Sequence, residues 1–228
     1  MIFRQLFESD TCTYSYLIGC EASREAALVD PVASELETYL ALLKELGLTL
    51  RYTLETHVHA DHITASGLLR ERLGSRSVVH RLGGAECADV LVDDGDRIRV
   101  GGLDLEVRHT PGHTQGCVSY VMADRVFTGD SLLIGGCGRT DFQQGDAGRL
   151  YDSIHSKLFS LPPETLVYPG HDYRGQTVSS IGAEISDNAR LGGGKSRDEF
   201  IAIMNDLKLD HPKYIHVALP ANQACGMA

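Results

Sequence analysis

One short segment of the sequence concentrates side chains that can bind a metal. Residues 56–62 read Thr-His-Val-His-Ala-Asp-His, which places three histidines and an aspartate within six positions. Because side chains alternate along an extended segment, His57 and His59 are expected to point to one face. Imidazole and carboxylate groups at this density are costly to hold near a core unless a charged species lies between them. The segment therefore predicts a metal centre.

Three further candidate ligands follow downstream, each after a short apolar run and a turn signal. They are His113 in Thr-Pro-Gly-His-Thr, Asp130 in Phe-Thr-Gly-Asp-Ser and His171 in Tyr-Pro-Gly-His-Asp. The first cluster also follows an expected strand, and loops at strand ends carry much of the chemistry of α/β proteins. The spacing predicts a metal site assembled from four separate loops.

Composition and charge disfavour several classes of function. The 228 residues include 21 Lys and Arg against 31 Asp and Glu, a formal net charge of −10. Nucleic-acid binding is not expected, because it depends largely on cations that neutralise phosphates. A membrane span is not expected either, because no apolar run approaches the roughly 20 residues that cross a bilayer. Strand-like sequence begins at once, without a signal or transit pattern, which favours a cytoplasmic protein.

The six cysteines are scattered and include no C-x-x-C pair. They fit neither a zinc ribbon nor a compact disulfide framework. We expect reduced thiols, most of them small buried residues. Cys137 and Cys225 differ, because they lie in Gly-rich or turn-rich segments.

The hydrophobic pattern predicts strands that alternate with helices. Strands are expected at 14–19, 26–30, 50–56, 77–80, 97–100, 103–109, 117–122, 125–128 and 165–168. Helices are expected at 34–46, capped by Ser34 and ended by Gly47, and at 64–73, 147–159, 178–188 and 196–207, before an irregular tail. Mixed strands with helices in both halves predict an α/β fold of two packed sheets with helices outside, an αββα sandwich, in a single domain over 1–228.

The ordered ligand candidates resemble the pattern of the metallo-β-lactamase superfamily. The resemblance rests on the His-x-His-x-Asp-His segment followed by His113, Asp130 and His171, and it covers almost the whole chain. It implies the metallo-β-lactamase fold. It does not give the reaction, because that superfamily includes lactamases, glyoxalase II, ribonucleases, flavodiiron proteins and sulfur dioxygenases.

The segment after Asp130 is more specific. Residues 134–145 read Ile-Gly-Gly-Cys-Gly-Arg-Thr-Asp-Phe-Gln-Gln-Gly, which is similar to the signature of persulfide dioxygenases of the ethylmalonic-encephalopathy protein type. The His-Asp-Tyr at 171–173 and the ending Pro-Ala-Asn-Gln-Ala-Cys-Gly at 220–226 also resemble that family. Glyoxalase II usually continues its Gly-Cys-Gly-Arg segment with aromatic and acidic residues, and it generally carries a longer helical C-terminal part.

The resemblance implies one Fe(II) per chain, held by His57, His113 and Asp130 as the catalytic metal ligands. The other candidates would either bond around this site or hold a second metal, as in dinuclear hydrolases; they are His59, Asp61, His62 and His171. The implied reaction is oxidation of glutathione persulfide with O2 and water to sulfite and glutathione. Zn(II) would not serve, because it has no accessible redox change.

The resemblance also implies residues that contact the substrate. Arg139, Tyr173 and Arg190 match positions that contact the glutathione part, and Cys225 matches one close to the substrate channel. The planar fork of arginine suits a carboxylate. The alternatives are a loop-stabilising Arg139, a solvated Arg190 and a tail thiol without a substrate contact. Ala189 stands where the family usually has proline, which bears on the direction of Arg190.

Two other functions stay open at the level of sequence. One is a dinuclear hydrolase of glutathione thioesters of the glyoxalase II type, in which a metal-bridging hydroxide attacks a carbonyl. The other is a non-enzymatic sulfur carrier or redox-sensing partner, against which the complete ligand set argues. Similar proteins are commonly homodimers, although no sequence feature shows an interface.

Overall fold

The computed structural model describes residues 1–209 and 214–227. Its strands are β1 Ile2–Glu8, β2 Thr13–Gly19, β3 Glu25–Val29, β4 Thr49–Leu54, β5 Arg76–His80, β6 Val90–Val92, β7 Arg97–Val100, β8 Leu103–His109, β9 Val118–Val121, β10 Arg125–Gly129, β11 Leu166–Pro169 and β12 Ser179–Ser180. Its α-helices are α1 Leu36–Leu46, α2 Ser66–Leu73, α3 Ala147–Ser153, α4 Ile181–Asp187, α5 Arg197–Asp206 and α6 Ile215–Gln223.

The strands of the described residues form two sheets of six. The first sheet has the order β1-β2-β3-β4-β5-β6, antiparallel from β1 to β3 and parallel from β3 to β6. The second has the order β12-β11-β10-β9-β8-β7, antiparallel except for the parallel pair β10 and β11. Connections that contain α1, α2 and α3 join the parallel pairs β3–β4, β4–β5 and β10–β11, and a shorter connection with a 3₁₀ turn joins β5 to β6.

The space between the sheets holds three of the largest buried aromatic side chains. Tyr16, Tyr120 and Phe127 are at most 1% exposed, and the Phe127 ring lies 5.0 Å from the Tyr16 ring between centroids. Leu54, at the end of β4, belongs to the same cluster. The last residues of β4 and β10 are thus anchored in this core directly before the loops that carry the candidate ligands.

Helices cover the outer faces of both sheets. Tyr39 and Leu43 of α1 pack on the first sheet, and Leu150 of α3 and Phe200 of α5 pack on the second. Each helix turns one apolar stripe inward and leaves the other face in water, which is how a helix stabilises a sheet face. The predicted αββα sandwich is confirmed, whereas the single domain over 1–228 stays a prediction.

The predicted elements differ from the structure at several places. The helix expected at 34–46 begins at Leu36 after a 3₁₀ turn, so Ser34 is not its N-cap. The helix expected at 178–188 begins only at Ile181, because its first residues form β12. The short strand β6 was not predicted. The prediction of an irregular tail is wrong, because Ile215–Gln223 is helical despite its internal Pro220. Within the described residues no helix is both long and apolar enough to cross a membrane.

We expect Phe127→Ala to destabilise the protein by about 3–5 kcal/mol, because the change leaves a cavity among rings that cannot collapse fully. Urea denaturation measures this loss, provided that the slope of the transition is unchanged. Leu91→Ala is the matched control, because Leu91 is 43% exposed on the edge strand β6. Equal losses in the two variants would contradict the assigned core.

Candidate metal centre

Three predicted ligands from three different loops converge in the structure. His57 follows β4, His113 follows β8 and Asp130 follows β10. One ligand atom from each lies within 4.8 Å of the others, and Nε2 of His113 is 3.6 Å from a carboxylate oxygen of Asp130. The register brings these loops together, because β10 runs parallel to β11 and β8 runs in the same direction as β10.

A buried hydrogen-bond chain fixes the ring of His57. The Thr56 hydroxyl donates to Oδ2 of Asp30 at 2.8 Å, and Nδ1 of His57 lies 3.1 Å from the same hydroxyl oxygen. Because the only hydroxyl proton goes to Asp30, the His57 Nδ1 must be the donor in its contact with Thr56. The lone pair of the neutral ring is then on Nε2. This is the ligand form that a metal requires.

The protonation of the site follows the same pattern. Nδ1 of His113 donates to the carbonyl oxygen of Arg139 at 2.6 Å, and Nε2 of this ring lies on the side of Asp130. Burial, together with the nearby His59 and His113, lowers the pKa of His57 well below its usual value. Burial alone would raise the pKa of Asp130, but the neighbouring His171 brings it well below its usual range. The neutral His57 ring and the ionised Asp130 carboxylate are therefore in the forms that bind a metal.

The other four candidate ligands lie beside this trio, and the three histidines among them bond to carboxylates, one of which is Asp61. His171 bridges two of them, with Nδ1 at 2.7 Å from Asp130 and Nε2 at 2.9 Å from Asp61. His62 contacts Asp61 through Nδ1 at 2.9 Å. His59 turns its Nε2 toward Asp30, at 3.1 Å. Burial by itself would lower the pKa of His171, but the two carboxylates raise it well above its usual value.

The residues present fit a bound metal ion. Nδ1 of His59 and Nε2 of His62 are buried and have no hydrogen-bond partner among the described residues. Such atoms are costly unless a ligand satisfies them. Two imidazoles with one carboxylate, and no thiolate, form a donor set that is typical of a divalent transition metal. A second group of His59, Asp61 and His62 also has its ligand atoms within 4.8 Å of one another.

A cavity of about 530 Å³ opens at the converging ligands. Its size is in the range of small-molecule sites. Its wall combines metal-ligand candidates with arginines and apolar groups of the segment 133–143; among the lining residues are His57, Asp61, His113, Asp130, Leu133, Ile134, Arg139, Phe142, His171, Tyr173, Arg174 and Arg190. The structure thus brings Arg139, Tyr173 and Arg190 to one cavity with the metal ligands.

Each of these three side chains already has a local contact. The guanidinium of Arg139 makes two bonds of 2.7 Å to Asp141 and lies 4.1 Å from the centre of the Phe142 ring. Nη1 of Arg190 donates to the carbonyl oxygen of Cys137 at 2.7 Å. Tyr173 is 71% exposed, and its ring is nearly parallel to that of His171 at 6.1 Å.

Cys225 lies elsewhere and requires a correction. It is 2% exposed, forms a disulfide with Cys87 and is not among the residues that line the cavity. The expectation of six reduced thiols is therefore wrong, since two cysteines separated by 138 positions meet through the fold. The described free cysteines are Cys12, Cys20, Cys117 and Cys137. Cys225 is not among the residues that line this cavity, and its contact with substrate stays a prediction.

Several residues of the site were not singled out from the sequence. The sequence pattern marks Asp30 only as the end of a strand, although an aspartate directly after an apolar run, followed by proline, is a usable signal. Thr56 directly precedes the first ligand. Arg174 and Phe142 line the cavity, and nothing local distinguished their side chains from other loop residues.

Comparisons with known proteins agree with this geometry. The sequence model of the family described as "Metallo-beta-lactamase superfamily" matches residues 13–171 of this chain. Persulfide dioxygenase ETHE1, mitochondrial, from Homo sapiens is 53% identical over 230 residues, which cover 100% of this chain and 89% of that protein. The crystal structure of ETHE1 from Myxococcus xanthus superposes with a TM-score of 0.97 at 57% identity, covering 99% of this chain and 100% of that one. Hydroxyacylglutathione hydrolase from Rhodospirillum rubrum is 39% identical over 167 residues, 70% of this chain and 62% of that protein.

The chain therefore belongs to the metallo-β-lactamase superfamily and, within it, to the persulfide dioxygenase family. The predicted metallo-β-lactamase fold is confirmed, and so is the prediction of an enzyme, an oxidoreductase. A metal cofactor is supported by the superfamily together with the converging ligand candidates.

We expect Asp30→Asn to weaken metal binding by roughly 10–100-fold, the usual effect of losing a partner of a ligand. An amide nitrogen facing the Thr56 hydroxyl would turn the hydroxyl proton toward His57 and move the ring proton to Nε2. Competition with a chromophoric chelator under anaerobic conditions measures the affinity. Thr56→Ser keeps the hydroxyl and serves as the control. Wild-type affinity in the Asp30→Asn protein would refute the hydrogen-bond chain.

Proposed function

We propose that this protein is an iron(II)-dependent persulfide dioxygenase that oxidises glutathione persulfide with O2 and water to sulfite and glutathione. The observation that carries the proposal is the convergence of His57, His113 and Asp130 within one cavity. The named relatives support the class of reaction, since the human protein is called a persulfide dioxygenase. The reaction balances as GSSH + O2 + H2O → GSH + SO3²⁻ + 2 H⁺.

One iron per chain is the metal content that we propose. Fe(II) held on one face by two imidazoles and a carboxylate supplies open positions and a redox change for dioxygen chemistry. Hydrogen bonds within the chain orient the two imidazole rings. The Thr56 hydroxyl holds Nδ1 of His57, and the Arg139 carbonyl oxygen holds Nδ1 of His113. His171 supports the single-metal proposal, because its Nε2 bonds to Oδ2 of Asp61, a carboxylate that a second ion would need as a ligand.

The cavity wall supplies contacts for the two carboxylates of glutathione. Arg139, Arg174 and Arg190 line the cavity together with Asp61, Asp130 and Asp172, and a bound divalent metal would add to the positive charge that a substrate carboxylate meets there. Tyr173 offers a hydroxyl, and Phe142 offers an apolar face. We propose that Arg139, Tyr173 and Arg190 hold the glutathione part and thereby direct its terminal sulfur toward the metal ligands.

Oxygen consumption tests the proposed reaction. Iron-loaded protein should consume O2 with glutathione persulfide and release sulfite, whereas the metal-free protein should not. Asp130→Ala should lose both iron and activity, because one of three ligands disappears. Asp141→Ala, which leaves the three ligands in place, is the control for iron retention. No oxygen uptake above the metal-free protein would remove the proposal.

Arg190→Ala should raise the KM for glutathione persulfide by about tenfold or more, the range expected for a lost bond to a charged group, with a smaller change in kcat. Arg139→Ala should act in the same direction. Arg81→Ala is the control, because this exposed arginine pairs with Asp93 and does not line the cavity. Steady-state oxygen uptake gives both constants. An unchanged KM in both cavity variants would show that these arginines do not bind the substrate.

A dinuclear hydrolase of glutathione thioesters is the second candidate function. The unpartnered nitrogens of His59 and His62, and the convergence of these residues with Asp61, favour a second metal position. The similarity to a hydroxyacylglutathione hydrolase points the same way. This function predicts two metals per chain and cleavage of S-lactoylglutathione without oxygen. Elemental analysis of protein purified without added metal separates the two candidate functions, since the dioxygenase requires a single iron per chain and the hydrolase requires two metals.

We also propose a homodimer and a cytoplasmic location. Dimers are common among similar proteins, and light scattering during gel filtration measures the assembly. The human relative carries the word mitochondrial in its name. Fractionation of the source cells therefore decides the location of this chain.

A further inference from the structure

Asn222 of α6 bonds to the backbone of the segment that carries His57, His59 and His62, and it is not among the residues that line the cavity. Its Nδ2 donates to the carbonyl oxygens of His59 and His62, at 2.9 and 2.7 Å, and its Oδ1 accepts from the Thr64 amide at 2.8 Å. Both amide hydrogens and the oxygen of this buried side chain are thus used on the backbone of one loop. We call residues 56–64 the metal loop. One side chain fixes this loop at three points.

The end of the chain after Asn222 lies against the residues that follow the metal loop. The carbonyl oxygen of Cys225 accepts from the Gly67 amide at 2.8 Å. A Cβ at Gly226 would lie 2.1 Å from the carbonyl oxygen of Thr64, and a Cβ at Gly67 would lie 2.6 Å from that of Cys225. Only glycine permits such close approach, so the sequence is built for contact between these two backbones.

The packing of α6 by itself is modest. Among its described residues only Ala218, Ala221 and Asn222 are buried, while Val217 is 61% exposed. Two alanine side chains bury little apolar area compared with a helix that carries leucines. The disulfide between Cys225 and Cys87, which lies in the loop between β5 and β6, is the covalent link that holds this segment in place.

We propose that Asn222 is a positioning residue for the metal loop and that the Cys87–Cys225 disulfide is a redox-sensitive latch that keeps it there. Reduction of the disulfide would release residues 221–227. The carbonyl groups of His59 and His62 would then lose their hydrogen bonds to Asn222, and the metal loop would be free to move. The metal site would then lose affinity without any change in its ligands. This inference concerns the metal loop, and it holds for either metal stoichiometry and either proposed reaction.

The chemical step is a thiol–disulfide exchange with a dithiol. Cys87 is half-buried and Cys225 is buried, so the Cys87 sulfur is the accessible one. A thiolate of the dithiol attacks this sulfur, forms a mixed disulfide and releases the Cys225 thiolate, which takes up a proton. The second thiol of the dithiol then displaces Cys87. Two electrons and two protons pass from the dithiol, which becomes a cyclic disulfide, to the cysteine pair.

Hydrogen–deuterium exchange on the metal-free, full-length protein tests the latch. Treatment with dithiothreitol should accelerate exchange at the amides of Thr64 and Gly67 by about tenfold or more, because their acceptors lie in the released segment. The amides of Asp30 and Gly170, whose acceptors are Leu54 and Gly129 outside the metal loop, should keep their rates. The double variant Cys87→Ser/Cys225→Ser is the control, since it should show the fast rates with or without dithiothreitol.

Metal affinity is the second readout, measured with Co(II) after removal of the reductant by gel filtration. Reduced wild-type protein and Cys87→Ser should bind Co(II) about tenfold more weakly than the oxidised protein, and Asn222→Ala should lose roughly 10–100-fold. Asn205→Ala, on the exposed face of α5, should change nothing. Equal exchange rates and equal Co(II) affinities in oxidised and reduced protein would overturn the proposal. So would faster exchange throughout both sheets on reduction, since the disulfide would then stabilise the whole fold rather than the metal loop.

Discussion

Imidazole and carboxylate groups can be buried together only if each has a partner, and this constraint shapes the active end of the molecule. Asp30 satisfies Thr56 and faces His59, while His171 lies between Asp61 and Asp130. The parallel pairs β3–β4 and β10–β11 make these contacts possible. They bring Val29 beside Leu54 and Gly129 beside Pro169, so that the loops after these strands start at one edge.

The same arrangement separates the ligands from the groups that orient them. The three proposed ligands face the cavity, whereas Asp30 and Asn222 hold the metal loop from inside the protein. The two supports differ in kind. Asp30 acts through the protonation of a ring, and Asn222 acts through the backbone. A metal site built this way depends on residues far from the cavity wall, including the disulfide that anchors the last turn of the chain.

Much of the fold and of the ligand set was predictable because those signals are local. Alternating and continuous apolar runs predicted most strands, and the His-x-His-x-Asp-His segment needed no partner to be noticed. Asp30 and Asn222 were missed because their roles depend on which strand or loop lies beside them. The Cys87–Cys225 pair was missed for the same reason, since spacing does not show which cysteines meet. Helix α6 was missed because tertiary contacts override its internal proline.

Anomalous scattering at the iron absorption edge, from crystals of protein purified without added metal, is the measurement to make. A single iron centre would give one peak per chain, in contact with Nε2 of His57, Nε2 of His113 and the carboxylate of Asp130. Thr56 and the Arg139 carbonyl should lie on the far sides of the two rings. Two peaks per chain at the zinc edge, with one between His59, Asp61 and His62, would contradict it.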